Sequence, residues 1–201
     1  MKLYILRHED RNQDATFFSP LTKQGLENSI KLIDILKEHK INNIYSSPYI
    51  RTLQTIYPYS KKNNLKIKLE YGLCEINHQD IIPKNSYNVR LPEYLAEQFN
   101  CDLDYNEKFD PEEISYPENE KKVYERIKNI LKYIILKYHD SNNDNIILVT
   151  HQIVCNLILK IVKKSGVSLL KNKELKNYPK GGLTQVFDNK SWVCKPINWK
   201  L

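Results

Sequence analysis

A chain of 201 residues, 41% hydrophobic and 27% charged, has the composition of a folded globular protein and suits one domain with a substantial core. Its net charge of +7 and pI near 9.0 do not by themselves designate a nucleic-acid partner, because Lys, Asn, Ile and Tyr are abundant together and all use AT-rich codons. No apolar run is long enough for a membrane span, and Met1 leads almost at once into LYIL and then charges without a leader-cleavage pattern, so a cytoplasmic, membrane-free protein is expected.

The chain opens on KLYIL, a short apolar run that reads as a buried strand and ends at Arg7-His8-Glu9-Asp10. TKQGLENSIKLIDILKEHK follows, with Thr22 as a helix N-cap and Leu26, Ile30, Ile33 and Leu36 on one face at helical spacing. In NNIYSSPYIRTLQTIYP a second strand reaches Tyr45, Ser47 and Pro48 are placed to start a helix, and Pro58 to close it. Leu65, Ile67 and Leu69 alternate as in a third strand.

From about 72 to 117 the periodicity weakens, with one helix expected near Leu91 or Pro92; this segment reads as an insertion or lid. Order returns in ENEKKVYERIKNILKYIILKYH, where Val123, Ile127, Ile130, Leu131 and Ile134 form a helical stripe. NIILVT is a continuous apolar strand, Gln152 to Lys164 a helix, and LTQVF with WVCKPI a hairpin turning near Asp188-Asn189. Cys74, Cys101, Cys155 and Cys194 are far apart and form no CxxC pair, so mostly buried, reduced thiols are expected.

Strands alternating with helices predict an α/β domain over residues 1–201, with a mostly parallel sheet covered on both faces. Ligands of such folds gather beyond the carboxyl ends of the strands. Polar groups stand at those ends: Arg7 and His8 after the first strand, Arg51 beyond the second, Glu75 after the third, and His151 directly after NIILVT. A neutral imidazole can attack a phosphoryl group, while guanidinium forks and a second imidazole stabilise its oxygens. A carboxyl group of raised pKa can give the leaving oxygen its proton.

Arg7-His8, SPLTKQG, SSPYIRTLQT, the Glu75 of LCEIN, YPENEKKVYERI and VTHQIV occur in an order that resembles the histidine phosphatase superfamily, in the branch of cofactor-dependent phosphoglycerate mutases and fructose-2,6-bisphosphatase. The resemblance runs from Leu3 to about Leu159. It implies a three-layer α/β sandwich with the insertion as a lid, and a phosphatase working through a phosphohistidine on His8. Arg7, Arg51 and His151 would hold the phosphoryl oxygens, and Glu75 would donate the proton. It also implies no metal and no organic cofactor, and a phosphorylated small molecule or phosphoprotein as substrate.

The family usually has a small residue after the nucleophile and then a carboxylate, whereas this chain has Glu9 and Asp10. An anion pointing at a phosphate site would repel it, so Glu9 is expected to turn outward. Asp10, able to contact Arg7 or the backbone, is an alternative proton donor. A mutase, a catalytically inactive phosphate-binding module and a charge-driven nucleic-acid binder are the competing readings.

Overall fold

The computed structural model describes residues 1–165 and 178–200. Among these, β1 (Lys2–Arg7), β2 (Asn43–Ser46), β3 (Ile67–Leu69), β4 (Asn145–Thr150), β5 (Leu183–Asp188) and β6 (Ser191–Ile197) form one sheet in the order β3-β2-β4-β1-β5-β6. The pairs β3-β2, β2-β4 and β4-β1 are parallel, and β1-β5 and β5-β6 antiparallel. The hairpin turns at Asn189 and Lys190, both at positive φ, which matches the twist of tightly connected strands.

Successive strand residues point to opposite faces, and both faces are buried. On one, Tyr4, Leu6, Ile44, Ile147 and Val149 pack with Leu32 and Leu36 of α1 (Lys23–Glu38) and Leu53 and Ile56 of α2 (Ile50–Lys62). On the other, Leu3, Ile5, Ile146 and Leu148 pack with Val123, Ile127, Ile130 and Ile134 of the helix Glu120–Tyr138 and with Val154, Leu157 and Ile158 of the helix Gln152–Lys164. A short helix, α3 (Glu93–Gln98), precedes these two, which are therefore α4 and α5. Each fully buried Leu or Ile contributes about 1.5–3 kcal/mol. All three layers of the expected sandwich are present.

Three expectations fail in detail. Leu26 and Ile30 of α1 are 42% and 60% exposed, and the buried row is Gly25, Ser29, Leu32 and Leu36. The cause is close approach: a Cβ on Gly25 would stand 2.2 Å from the Asp10 carbonyl oxygen, so the small-residue side of α1 lies on the loop after β1. Thr22 caps α1 as expected, accepting from the Gly25 amide.

Pro58 lies inside α2, which runs to Lys62. The lost backbone bond is offset by side chains beyond it: the Tyr59 hydroxyl donates to the Ile41 carbonyl at 2.6 Å and Ser60 Oγ to the Leu65 carbonyl at 2.6 Å. The N-cap position belongs to Tyr49, so neither Ser47 nor Pro48 starts this helix.

The 72–117 segment holds α3 and short 3₁₀ turns at Lys84–Ser86 and Pro111–Glu113. It is tied down by buried Glu70, which accepts from the amides of Gly72, Lys108 and Phe109 and from the Tyr105 hydroxyl. Cys74, Cys101 and Cys155 are buried and no disulfide forms. Among the described residues, no helix is long and apolar enough to cross a membrane.

Candidate active site

The parallel register brings three strand ends level: Arg7 pairs with Thr150 and Ser46 with Val149. Each ladder then extends by one bond, His8 N–H to the Thr150 carbonyl at 2.9 Å and Ser47 N–H to the Val149 carbonyl at 3.0 Å. His8, Ser47 and His151 thus leave the sheet side by side, with His151 as the N-cap of α5. The positive end of that helix dipole faces the same region.

The rings of His8 and His151 meet edge-on with centroids 5.3 Å apart, and both are buried. His8 Nδ1 lies 2.7 Å from the Glu9 carbonyl oxygen, which cannot donate; Nδ1 therefore carries the proton, and Nε2 keeps its lone pair. Burial, and then the Arg51 guanidinium, hold the His8 imidazole well below the ordinary histidine range. His151 is depressed by the same two causes in the same order, with His8 adding to them. Its Nε2 is 2.9 Å from Ser47 Oγ and is edged by Tyr49, whose ring centroid lies 5.0 Å away.

Arg51, the second residue of α2, is 2% exposed, donates to the Thr16 carbonyl at 2.8 Å and places its guanidinium carbon 4.3 Å from the Tyr49 ring centroid. Burial lowers its pKa to about 10, which leaves it cationic at neutral pH. Arg7 donates to the Tyr178 carbonyl. Arg7 Nε, Arg51 Nε and His151 Nδ1 are buried without a protein partner. Buried polar groups of that kind carry a desolvation cost that an anion in the pocket would relieve. A phosphate dianion would also favour protonated His151, reversing the effect of burial.

Glu75 is 6% exposed and accepts from the Ile76 amide at 3.1 Å, with the Ile153 amide 3.5 Å from its other oxygen. Burial raises its pKa, against the opposing pull of that backbone bond and of Arg51. It is therefore suited to carry a proton at pH values where an ordinary carboxyl group has lost one. A cleft of about 480 Å³ opens past Ile76 and Ile153, whose amides face the Glu75 carboxylate, and is lined also by His78, Asp80, Glu118 and Glu120.

Glu9 does not reach solvent. It is 0% exposed, and its Oε2 accepts from Lys200 Nζ at 2.6 Å and from Asn28 Nδ2 at 3.2 Å. The expectation of an outward carboxylate is corrected to a buried one turned to a cation. Asp10 binds Lys180 and accepts from Thr22 Oγ1 at 2.9 Å, and its backbone carbonyl accepts from the Thr22 amide. The Lys180 bond holds its carboxyl below the usual range, a poor setting for a proton donor.

Sequence reasoning missed several supporting groups. Ser47 binds His151, Tyr49 stacks on Arg51, and Arg11 adds a further positive charge felt by His8, His151 and Arg51. Among the described residues the most buried ion pair is Arg126-Glu118, with side chains 4% and 3% exposed. Arg126 also donates to the Gly72 and Cys74 carbonyls, and Glu118 accepts from the Asn77 amide, so the pair grips both flanks of Glu75. Among the described residues no cluster of three or more His, Cys, Asp or Glu side chains is placed to hold a metal ion, and His78 instead meets Asp80 at 3.3 Å.

The sequence profile of the histidine phosphatase superfamily (branch 1) matches residues 3–200. The chain belongs to this superfamily. Its fold is that of solved histidine phosphatase relatives. The ecdysone phosphate phosphatase of Bombix mori is 15% identical, with 100% of this chain and 95% of that one covered and a TM-score of 0.72. YhfR of Bacillus stearothermophilus is 17% identical over 96% and 94% of the two chains, at TM-score 0.65. A phosphoglycerate mutase from Bacillus anthracis is 19% identical over 98% and 92%, also at 0.65. Comparison with curated protein sequences finds no match.

Proposed function

We propose that the protein hydrolyses phosphomonoesters through a phosphohistidine on His8. The observation that carries the reading is the imidazole itself: buried, neutral, with Nδ1 tied to the Glu9 carbonyl and Nε2 left to attack. Nε2 forms a bond to phosphorus as the phosphorus–oxygen bond to the alcohol breaks, and Glu75 transfers its proton to the departing oxygen. Arg7, Arg51 and His151 hold the equatorial oxygens, where charge develops. Water then attacks the phosphohistidine, Glu75 takes a proton from it, and inorganic phosphate leaves with Nε2 free again. Asp10 supports the loop between β1 and α1 through Thr22 and Lys180.

The substrate is a phosphorylated small molecule or a phosphoprotein, its ester oxygen turned to Glu75. That phosphatases and a mutase share this fold supports phosphoryl transfer, and the acceptor separates the two outcomes. The test is phosphate release from p-nitrophenyl phosphate and a panel of phosphomonoesters by wild type and His8→Ala. Turnover lost in His8→Ala, with water as the acceptor, is expected. Equal rates in the two proteins would exclude the His8 mechanism, and product retaining the phosphoryl group at a second position would make the protein a mutase.

A further inference from the structure

A carboxylate directly after the nucleophile is out of place in an anion-binding pocket, and the fold deals with it through residues far along the chain. We infer that Lys200 is a positioning residue of this site: its ammonium neutralises Glu9 and fastens it to the 180–182 turn, so that the buried carboxylate next to His8 becomes an anchor for the His8 loop.

Lys200 Nζ donates both to Glu9 Oε2 and, at 2.8 Å, to the Lys180 carbonyl. Trp199 Nε1 donates to the Gly181 carbonyl at 2.8 Å. From the other side of the same turn, the Gly181 amide donates to the His8 carbonyl at 3.1 Å and the Gly182 carbonyl accepts from the Arg7 amide at 3.0 Å. One turn therefore joins the Trp199-Lys200 segment to the two residues that open the pocket.

The approach is close, and the backbone of the turn favours glycine. Gly181 has φ +66, and a Cβ built there would stand 1.8 Å from Glu9 Oε1, which is itself buried without a protein partner. Both anions after the nucleophile are matched by lysines of this segment, Asp10 by Lys180 and Glu9 by Lys200. Removing Lys200 would leave Glu9 as an uncompensated buried charge, which either repels the phosphoryl group or pulls the loop toward water. Lys200 keeps 38% of its side-chain exposure, so losing Glu9 instead leaves a lysine that can hydrate.

The inference rests on the phosphatase reading for its kinetic consequence but not for its geometry, and a double-mutant cycle separates the two. Wild type, Lys200→Met, Glu9→Gln, the double variant and Lys200→Arg are compared for kcat/KM on p-nitrophenyl phosphate, orthovanadate inhibition or binding, and Tm. Lys200→Met should lower kcat/KM and weaken vanadate by about tenfold, a loss in the usual range for a coupled charged pair, while in the Glu9→Gln background it should cost less than about twofold. Lys200→Arg should stay within about threefold of wild type. Unchanged kinetics and vanadate affinity in Lys200→Met, or equal losses in both backgrounds, would overturn the proposal. If Lys200→Met does not fold, rescue of folding by Glu9→Gln supports it and failure of rescue overturns it. A wild type without His8-dependent turnover would refute the phosphatase reading alone, since vanadate binding still reports the coupling.

Discussion

Replacing Arg126 with Met tests whether the loop that carries Glu75 is held by a buried ion pair. Arg126 donates Nε and Nη2 to Glu118 at 3.1 and 2.8 Å, and Nη1 to the Gly72 and Cys74 carbonyls at 2.7 and 3.0 Å. Methionine fills much of the volume but leaves a buried carboxylate with no countercharge, a loss of about 3–5 kcal/mol. Against a total of roughly 10–30 kcal/mol for a chain this long, that is a large fraction, equivalent to a fall in Tm on the order of 10 °C. Because the lost bonds flank Glu75, kcat should fall while the protein is still folded. Urea unfolding and steady-state kinetics at a temperature below the transition measure the two effects. The double variant Arg126→Met/Glu118→Leu removes both charges and should recover most of the stability, since apolar replacement of a buried pair is often neutral. A single variant that loses less than about 1 kcal/mol, or a double variant no better than the single, would refute the ion-pair reasoning.

Glu75→Gln should cost about 10²-fold or more on alkyl phosphates, whose leaving oxygen needs a proton, and much less on p-nitrophenyl phosphate, whose phenolate leaves unaided. Asp10→Asn should show no such dependence on the leaving group; if it does and Glu75→Gln does not, the proton donor is Asp10. The buried histidines predict an acid-sensitive fold. Because the His8 pKa is depressed in the native state, the unfolded chain binds a proton below about pH 6.5 that the native state refuses, so stability falls as pH drops. Glu70 and Glu75, raised by burial, act in the opposite direction, so the informative quantity is the difference between wild type and His8→Asn. Wild type should lose stability relative to that variant as pH falls below about 6.5, and an unchanged difference in denaturation midpoints would mean that His8 is hydrated.

What could be read from the sequence follows from how local each signal is. The stripe Val123-Ile127-Ile130-Ile134 and the run NIILVT are contiguous patterns, and each forms the element expected of it. Arg7, His8, Arg51 and His151 were visible because they follow apolar strands that have to lie side by side. The face of α1 was misread because the row that touches the fold contains Gly25 and Ser29, which carry no hydrophobic signal, while Leu26 and Ile30 do and are exposed. Arg126 did leave a trace: it stands within the buried row between Val123 and Ile127, where an ordinary surface arginine would not be. Glu9 stands out in the sequence as a carboxylate directly after His8, but its partner Lys200 leaves no trace, since 191 positions separate them and only the folded chain brings them together.

The most direct measurement is rapid acid-free quenching during turnover of a phosphomonoester, followed by peptide mapping of the enzyme-bound phosphoryl group. An alkali-stable, acid-labile phosphate on the peptide containing His8, absent in His8→Ala and decaying at a rate compatible with turnover, is the predicted result. Turnover without any phosphorylated histidine, or with the phosphoryl group on His151, would contradict the assignment of His8 as the nucleophile.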